Sequence, residues 1–393
     1  MCRKCKVLEL TLSESCNLSC VYCYEHCKNQ SSMSIDLAKK LIKDFFYKNK
    51  SAEEVRIGFH GGEVLLQFDT VRSICEWLWS QDWKISYVCK TLTNGTLMRG
   101  EIAEWFQENR HRFRVQLSYD GTPEMQDVNR TDSSKDIDLS FFRRNWPDEW
   151  IKMTVSPHTI GRLFEGVTFL HRHNFNVICN LAYWIEWPLS FVSIYQEQLR
   201  LLADWYLSNP QVSIATVLAL PIDRIAVAQQ EGNVYYGWKW CGCGESDAFY
   251  SPDGKRYPCQ GFMPSVQGCD LNALGVDLNM LTDKKFFKDE ICSECKLYPA
   301  CGTCCAENLA IRGALSNRCR SMCNFRKVEI AEASRMYAKM LGQPEKYPII
   351  SKMSKQKRCL LAKGLLIALS AVQHDKAVIL NSAVETSKSA FHL

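Results

Sequence analysis

Several things are missing from this chain of 393 residues. The N-terminus, MCRKCKVLELTLSESC, has no apolar stretch followed by a small-residue cleavage site, so it does not read as a signal peptide. No run of about 18 apolar residues occurs, which excludes a membrane-spanning helix. Charge of one sign is scarce: 48 Lys and Arg against 43 Asp and Glu leave a formal +5, too thin to argue for nucleic acid. Internal repeats and low-complexity tracts are also lacking. With 46% hydrophobic and 23% charged residues the chain can build a full core, and disorder throughout is excluded. At about 150 residues per domain the length allows two or three domains, or one barrel plus an appendage.

What is abundant is cysteine, with 21 residues. Without a secretion signal the expected location is the cytoplasm, where thiols stay reduced and clustered cysteines read as metal ligands rather than disulfides. Their distribution sharpens this. Cys16, Cys20 and Cys23 share one short loop, and a dense group runs from Cys241 to Cys323. Between them lie only Cys27, Cys75, Cys89 and Cys179.

Residues 7–183 alternate between strand-like and helix-like segments. Expected strands are Val7–Leu12, Val55–His60, Ile85–Thr93, Phe113–Tyr119, Ile151–Ser156 and Val177–Tyr183. A helix is expected over Leu37, Leu41, Ile42, Phe45 and Phe46, with Ser34 as N-cap. The alternation predicts an α/β fold with a parallel sheet, open or barrel-like. The expected division is a barrel over residues 1–208 with its last helix at 190–208, an aromatic-rich bridge at 209–240, a cysteine-rich domain at 241–341 containing a helix at 325–340, and an extension at 342–393.

Cys16, Cys20 and Cys23 follow the first strand, where the functional face of a parallel α/β barrel lies. Thiolates select iron–sulfur clusters or zinc. Three of them close neither a four-iron cluster nor a tetrahedral zinc, so one metal position stays open. A structural zinc completed by Cys27 or His26 is the competing reading. Against it stand His60-Gly61-Gly62-Glu63, Thr93-Asn94-Gly95-Thr96, Ser118-Tyr119-Asp120-Gly121 and Ser156, each at the end of an expected strand. Each alone reads as a turn; together they line one face.

Cys-x3-Cys-x2-Cys with Tyr22 before the last cysteine, followed by Gly-Gly-Glu, resembles the radical SAM superfamily over residues 7–183. The resemblance implies a partial (β/α)6 barrel with a 4Fe-4S cluster, whose open iron is chelated by S-adenosyl-L-methionine (AdoMet). Reductive cleavage of AdoMet would then release a 5′-deoxyadenosyl radical. It further implies that Gly61, Gly62 and Glu63 contact the methionine amino group, that Tyr22 lies by the adenine and that Ser118 lies near the ribose or carboxylate. Asn94, Asp120, Arg130 and Ser156 complete the expected AdoMet-binding set. The chain departs from the pattern at Val64, where proline is usual, and at Gln126-Asp127, where His-Asp is common.

Cys243, Gly254 and Cys259 fit Cys-x(9–15)-Gly-x4-Cys, and Cys292, Cys295, Cys301 and Cys305 fit Cys-x2-Cys-x5-Cys-x3-Cys. This order resembles the SPASM extension of radical SAM enzymes. The resemblance implies two auxiliary 4Fe-4S clusters, one on Cys241, Cys243, Cys259 and Cys305, the other on Cys292, Cys295, Cys301 and either Cys319 or Cys323. No place is implied for Cys269 or Cys304. A pair of zinc sites is the competing reading. Three clusters would cancel most of the +5, giving a near-neutral holoprotein.

Other features read more plainly. Cys75, Cys89 and Cys179 are expected in the core, and Cys2 and Cys5 at a frayed end. Trp184, Trp187, Tyr235 and Trp238 are expected to pack barrel against extension rather than line a peptide groove. Leu361, Leu365, Leu369 and Val372 recur at helical spacing and are expected to dock on the protein itself, a partner peptide being the alternative.

Most SPASM-bearing members modify peptides or proteins. The resemblance therefore implies a maturase of a ribosomally made peptide that abstracts hydrogen and forms a thioether or carbon–carbon cross-link. The implied partners are a precursor peptide and an electron donor such as flavodoxin or ferredoxin, with neither nucleic acid nor membrane. With the first strand near residue 7, no N-terminal leader-binding domain fits, so leader recognition is expected to fall to the extension, the tail or a separate leader-recognition protein. Asp120, Glu186 and Asp247 are candidate general bases. The alternatives are an anaerobic sulfatase-maturating, formylglycine-forming enzyme and a non-catalytic iron–sulfur or zinc scaffold.

Overall fold

The structure, a computed structural model, describes residues 5–228, 241–245, 247–275, 278–282, 292, 295–298 and 301–372. Along the chain, β1 (Cys5–Ser13), α1 (Ile35–Lys48), β2 (Glu54–Gly61), α2 (Phe68–Trp79), β3 (Ser86–Thr93), α3 (Gly100–Glu108) and β4 (Phe113–Leu117) alternate as expected. Two short helices, α4 (Pro123–Asn129) and α5 (Leu139–Asn145), precede β5 (Ile151–Val155), α6 (Leu163–Arg172), β6 (Val177–Leu181), α7 (Phe191–Ser208) and α8 (Thr216–Ala228). A small hairpin, β7 (Asp247–Tyr250) and β8 (Arg256–Tyr257), leads to α9 (Pro264–Gln267) and α10 (Cys305–Arg312). The chain continues as α11 (Ser321–Gly342), α12 (Pro348–Ser351) and α13 (Lys355–Val372). Among the described residues no helix is long and apolar enough to cross a membrane.

The chain forms two compact units. The first comprises Met1–Lys152, His173–Phe175 and Cys241–Phe286; the second comprises Met153–Arg172, Asn176–Trp240 and Phe287–Leu393.

In the first unit the strand order is β4-β3-β2-β1-β7-β8. β1 to β4 pair in parallel, as strands joined by crossover helices must. Ser34 caps α1 by accepting from the Leu37 amide, as its place before the periodic run predicts. One sheet face packs on helices: Phe106 of α3 meets Phe113 of β4 edge-on at 5.0 Å, and Cys75 of α2 touches Cys89 of β3. Both thiols are fully buried, so they serve as core. β7 was not expected. It is a four-residue strand running parallel to β1, with Glu9 opposite Phe249. A segment so short and so rich in neighbouring cysteine and glycine carries no periodic signal.

In the second unit β5 and β6 form a two-stranded sheet, and the Ala182 amide donates to the Val155 carbonyl at 2.8 Å. α6 and α8 pack against β6, and α11 packs in turn on α7, α8 and α13. The expected bridge at 209–240 contains α8, whose nearly uniform apolar sequence and internal Pro221 hide it from a periodicity test. The extension docks on its own unit through fully buried Leu365, Ala368 and Val372 against α8 and α11, while Leu369 is only half-buried. Trp187 packs against Phe191 and Phe325. Tyr235 and Trp238 lie outside the described residues, as do Cys2 and residues 373–393.

Candidate functional site

The loop carrying Cys16, Cys20 and Cys23 follows β1 and is tied to the ends of the next three strands. At β2, the Gly62 amide donates to the Ser13 carbonyl (3.1 Å) and the Glu63 amide to the Ser15 carbonyl (2.8 Å). This is why the glycines stand there. A Cβ at Gly62 would fall 2.5 Å from the Ser15 carbonyl oxygen and 2.6 Å from that of Glu14, and one at Gly61 would strike the Ser13 carbonyl. Any larger residue would push the cysteine loop off the sheet.

Glu63 is buried, and its carboxylate accepts from the Leu65 amide (3.0 Å), the Thr93 hydroxyl (2.7 Å) and the Asn94 amide (2.8 Å). Burial pushes its pKa up, against the pull of these donors. The carboxylate therefore locks β2 to β3. The Asn94 side chain reaches the cysteine loop directly, donating to Asn17 at 2.9 Å, while Asn17 donates to Thr96 at 2.8 Å.

At β4, Asp120 is fully buried. It accepts from Arg130 through both oxygens (2.9 and 3.3 Å), from Asn129 (3.1 Å) and from the Tyr22 hydroxyl. Arg130 also lies over the Tyr22 ring, 5.5 Å from its centre. Burial opposes the Arg130 charge, but Asp120 and its neighbours outweigh it and hold the guanidinium protonated. Burial pushes the Tyr22 phenol up, so it stays a donor. Gln126, where His was expected by resemblance, is buried and accepts from the Asp120 amide while donating to Ser133. With its acceptor sites so occupied, Asp120 is a positioning carboxylate rather than an open proton acceptor. Ser118 is buried and its backbone bridges to Lys152 of β5.

The three thiols lie close enough to feel one another's charge, and the Lys28 ammonium stands by Cys16 and Cys23. Burial pushes Cys16 up and Cys20 up to about 11, so both hold protons until a metal displaces them. Among the described residues no three His, Cys, Asp or Glu side chains converge on one point as a single ion requires. A cluster distributes its thiolates over separate irons, and three thiols in one loop beside a lysine fit that donor set.

From further along the chain, Gln260 accepts from Tyr24 and donates to Glu25, and the Thr11 hydroxyl donates to Met263 sulfur. Cys241, Cys243 and Cys259 belong to this first unit; Cys243 is buried, Cys259 half-buried and Cys241 exposed. Cys27 is exposed and Cys269 half-buried. Asp247 stands opposite Val7 in the sheet.

The second unit holds the remaining sites. Ser156 is buried, and its hydroxyl accepts from the His158 amide, closing the turn after β5. Glu186 is exposed. A cavity of about 60 Å³ is lined by Cys292, Cys301, Cys304, Cys319 and Cys323 with Arg318 and Arg326. Cys301 and Cys292 are near enough to Cys323 to raise its pKa beyond the effect of burial, whereas Cys319 contacts Ser321 at 3.2 Å. Cys295 is exposed and Cys305 buried. No disulfide joins the described cysteines.

Sequence reading missed Asn17, within the cysteine loop, and Gln260, which holds the loop's Tyr24 and Glu25 from far along the chain. It also missed a polar row on the other sheet face: Glu9, His60, Lys90 and Lys152 alternate with buried apolar residues along four strands, a period-2 signal present in the sequence.

No protein-family model matches the chain. It is 32% identical over 132 residues to the cysteine-type anaerobic sulfatase-maturating enzyme of Clostridium novyi (strain NT), covering 31% of this chain and 34% of that protein. It is 28% identical over 133 residues to the radical SAM cyclopropyl synthase TigE of Paramaledivibacter caminithermalis, covering 29% of this chain and 27% of that protein. The matched segments thus span about a third of these relatives. Among solved structures it is similar to native anSMEcpe with bound AdoMet and Cp18Cys peptide (TM-score 0.65, 20% identity, 85% of this chain and 98% of that chain). It is also similar to Streptococcus suis SuiB bound to precursor peptide SuiA (TM-score 0.52, 16% identity, 80% and 75%). Radical SAM maturases are therefore among its homologues, and its α/β fold with a parallel sheet matches theirs.

Proposed function

We propose that the chain is a radical SAM maturase acting on a ribosomally made peptide. The carrying observation is the loop of Cys16, Cys20 and Cys23, hydrogen-bonded to the ends of β2 and β3 and, through Tyr22, to Asp120 beyond β4. These thiols would hold the AdoMet-binding 4Fe-4S cluster. When bound, cluster and AdoMet supply a one-electron reductive cleavage whose 5′-deoxyadenosyl radical abstracts hydrogen from the substrate. The residues of the chain supply position. Gly61 and Gly62 let the loop sit flush on the sheet, and the Asp120–Arg130 pair fixes Tyr22. The AdoMet-binding set would be Tyr22, Gly61, Gly62, Glu63, Asn94, Ser118, Asp120, Arg130 and Ser156. Of these, Glu63 and Asp120 would act by holding their neighbours.

Two auxiliary clusters would complete the cofactors, one on Cys241, Cys243, Cys259 and Cys305, the other on Cys292, Cys295, Cys301 and Cys323. The proximity of Cys323 to Cys292 and Cys301 favours it over Cys319. Anaerobic reconstitution then yields about twelve iron and twelve sulfide per chain. A count near four would remove the auxiliary clusters, and stoichiometric zinc with little iron would leave a zinc scaffold.

A second reading, formylglycine formation on a sulfatase, is favoured by the sulfatase-maturating relative and by the anSMEcpe structure. Incubation with AdoMet and dithionite, against a cysteine-bearing sulfatase-motif peptide and against peptides encoded beside the gene, separates the two. A two-hydrogen-equivalent oxidation of the sulfatase peptide supports the second, and a cross-linked product the first.

A further inference from the structure

The sheet face opposite α1 to α3 encloses a cavity of about 350 Å³ that none of the expected roles uses. It lies wholly within the first unit. Two arginines and two lysines line it, Arg56, Lys90, Arg114 and Lys152, against the carboxylates of Glu9 and Glu149. Arg56 and Arg114 form an exposed rim, and each has its own partner there, Glu54 at 2.7 Å and Glu149 at 3.6 Å. Inside, Glu9 is 3% exposed and takes both Lys90 (2.7 Å) and His60 (3.1 Å). Its position is built in: a Cβ on Gly58 would coincide with the Glu9 carboxylate, so the glycine opens the space that Glu9 occupies. The Glu9 carboxylate thus serves both Lys90 and His60, and no carboxylate pairs directly with Lys152. Its ammonium makes no hydrogen bond or ion pair among the described residues; burial and the nearby Arg130 charge work against its protonation, and the Asp120 carboxylate that favours it is itself paired with Arg130.

Burying an ammonium without a directly paired counter-charge is costly. A fold that sets one on the wall of a cavity, beside a second lysine, has left room for an anion. Gln116, held by its amide at the Trp150 carbonyl (2.8 Å), adds a neutral polar wall. We propose that this cavity binds a carboxylate, with Lys152 as its principal partner and Lys90 as the second, and that the carboxylate is an acidic side chain of the substrate. The assignment to substrate rests on the maturase reading; the anion site itself does not.

The test uses the anaerobically reconstituted full chain, with glutarate as probe and the uncharged glutaramide as control, read by calorimetry. Glutarate is expected to bind and glutaramide not to, and Lys152→Met to weaken glutarate at least about tenfold, as loss of a charge-assisted contact does. Lys152→Arg keeps the charge and retains binding, and Lys40→Met, at an exposed site, changes nothing. Equal binding of the two probes, or an unchanged affinity in a folded Lys152→Met, overturns the proposal. So does a tenfold loss of AdoMet affinity in that variant with glutarate unaffected, because it assigns the lysine to the carboxylate of AdoMet. The same preparation is assayed for 5′-deoxyadenosine. Cleavage without glutarate binding defeats only the cavity, and glutarate binding without cleavage defeats only the maturase reading.

Discussion

Asp120 gathers donors from three places, Tyr22 in the cysteine loop, Asn129 in α4 and Arg130 just after it, inside a region water does not reach. Removing its charge strands a buried guanidinium. Asp120→Asn is expected to cost about 3–5 kcal/mol of stability, measured by denaturant unfolding, and to release Tyr22. A loss below about 1 kcal/mol would show that the pair is no anchor. Glu9 makes a pH-dependent prediction. Burial raises its pKa, but His60 and Lys90 lower it more, so the folded value lies below the ordinary 4.5. Its contribution to stability is then present in full above that pH and is lost as pH falls through the folded value. The difference in melting temperature between wild type and Glu9→Gln should shrink as pH falls below about 4.5. A difference that grows below that pH would reverse the sign and contradict the ion pairs.

At the scale of elements, the glycines at the end of β2 and the helix α13 make separate claims. Gly62→Ala forces a methyl against two carbonyls of the cysteine loop, so the loop must lift. Iron is expected to fall from about twelve to about eight per chain, with the auxiliary clusters kept. Leu365 is fully buried on α13, and Leu365→Ala should destabilise the second unit by about 2–5 kcal/mol while AdoMet binding persists. The elements were largely legible. β1 to β6 alternate with amphipathic helices, and the structure moves their ends by at most two residues. β7 and α8 were not, the one too short and the other too uniformly apolar to show a period. Within the candidate site, the cysteines and strand-end glycines announce themselves by spacing. Asn17 and Gln260 do not, because their value lies in partners far along the chain, and amide side chains carry no signature without geometry.

For the whole molecule, the sulfhydryl chemistry is divided between two compact units. The first carries Cys16, Cys20 and Cys23 with Cys241, Cys243 and Cys259; the second carries Cys292 to Cys323. The maturase reading makes the first unit the place of AdoMet cleavage, and that claim can be tested without knowing the substrate. The reconstituted chain, reduced with dithionite under anaerobic conditions, is given AdoMet, and 5′-deoxyadenosine is quantified by chromatography. The account predicts slow uncoupled formation of 5′-deoxyadenosine and methionine, abolished in a Cys16→Ala, Cys20→Ala, Cys23→Ala variant that retains about eight iron per chain. An iron-replete wild type that leaves AdoMet intact, or a triple variant that still cleaves it, would contradict the account.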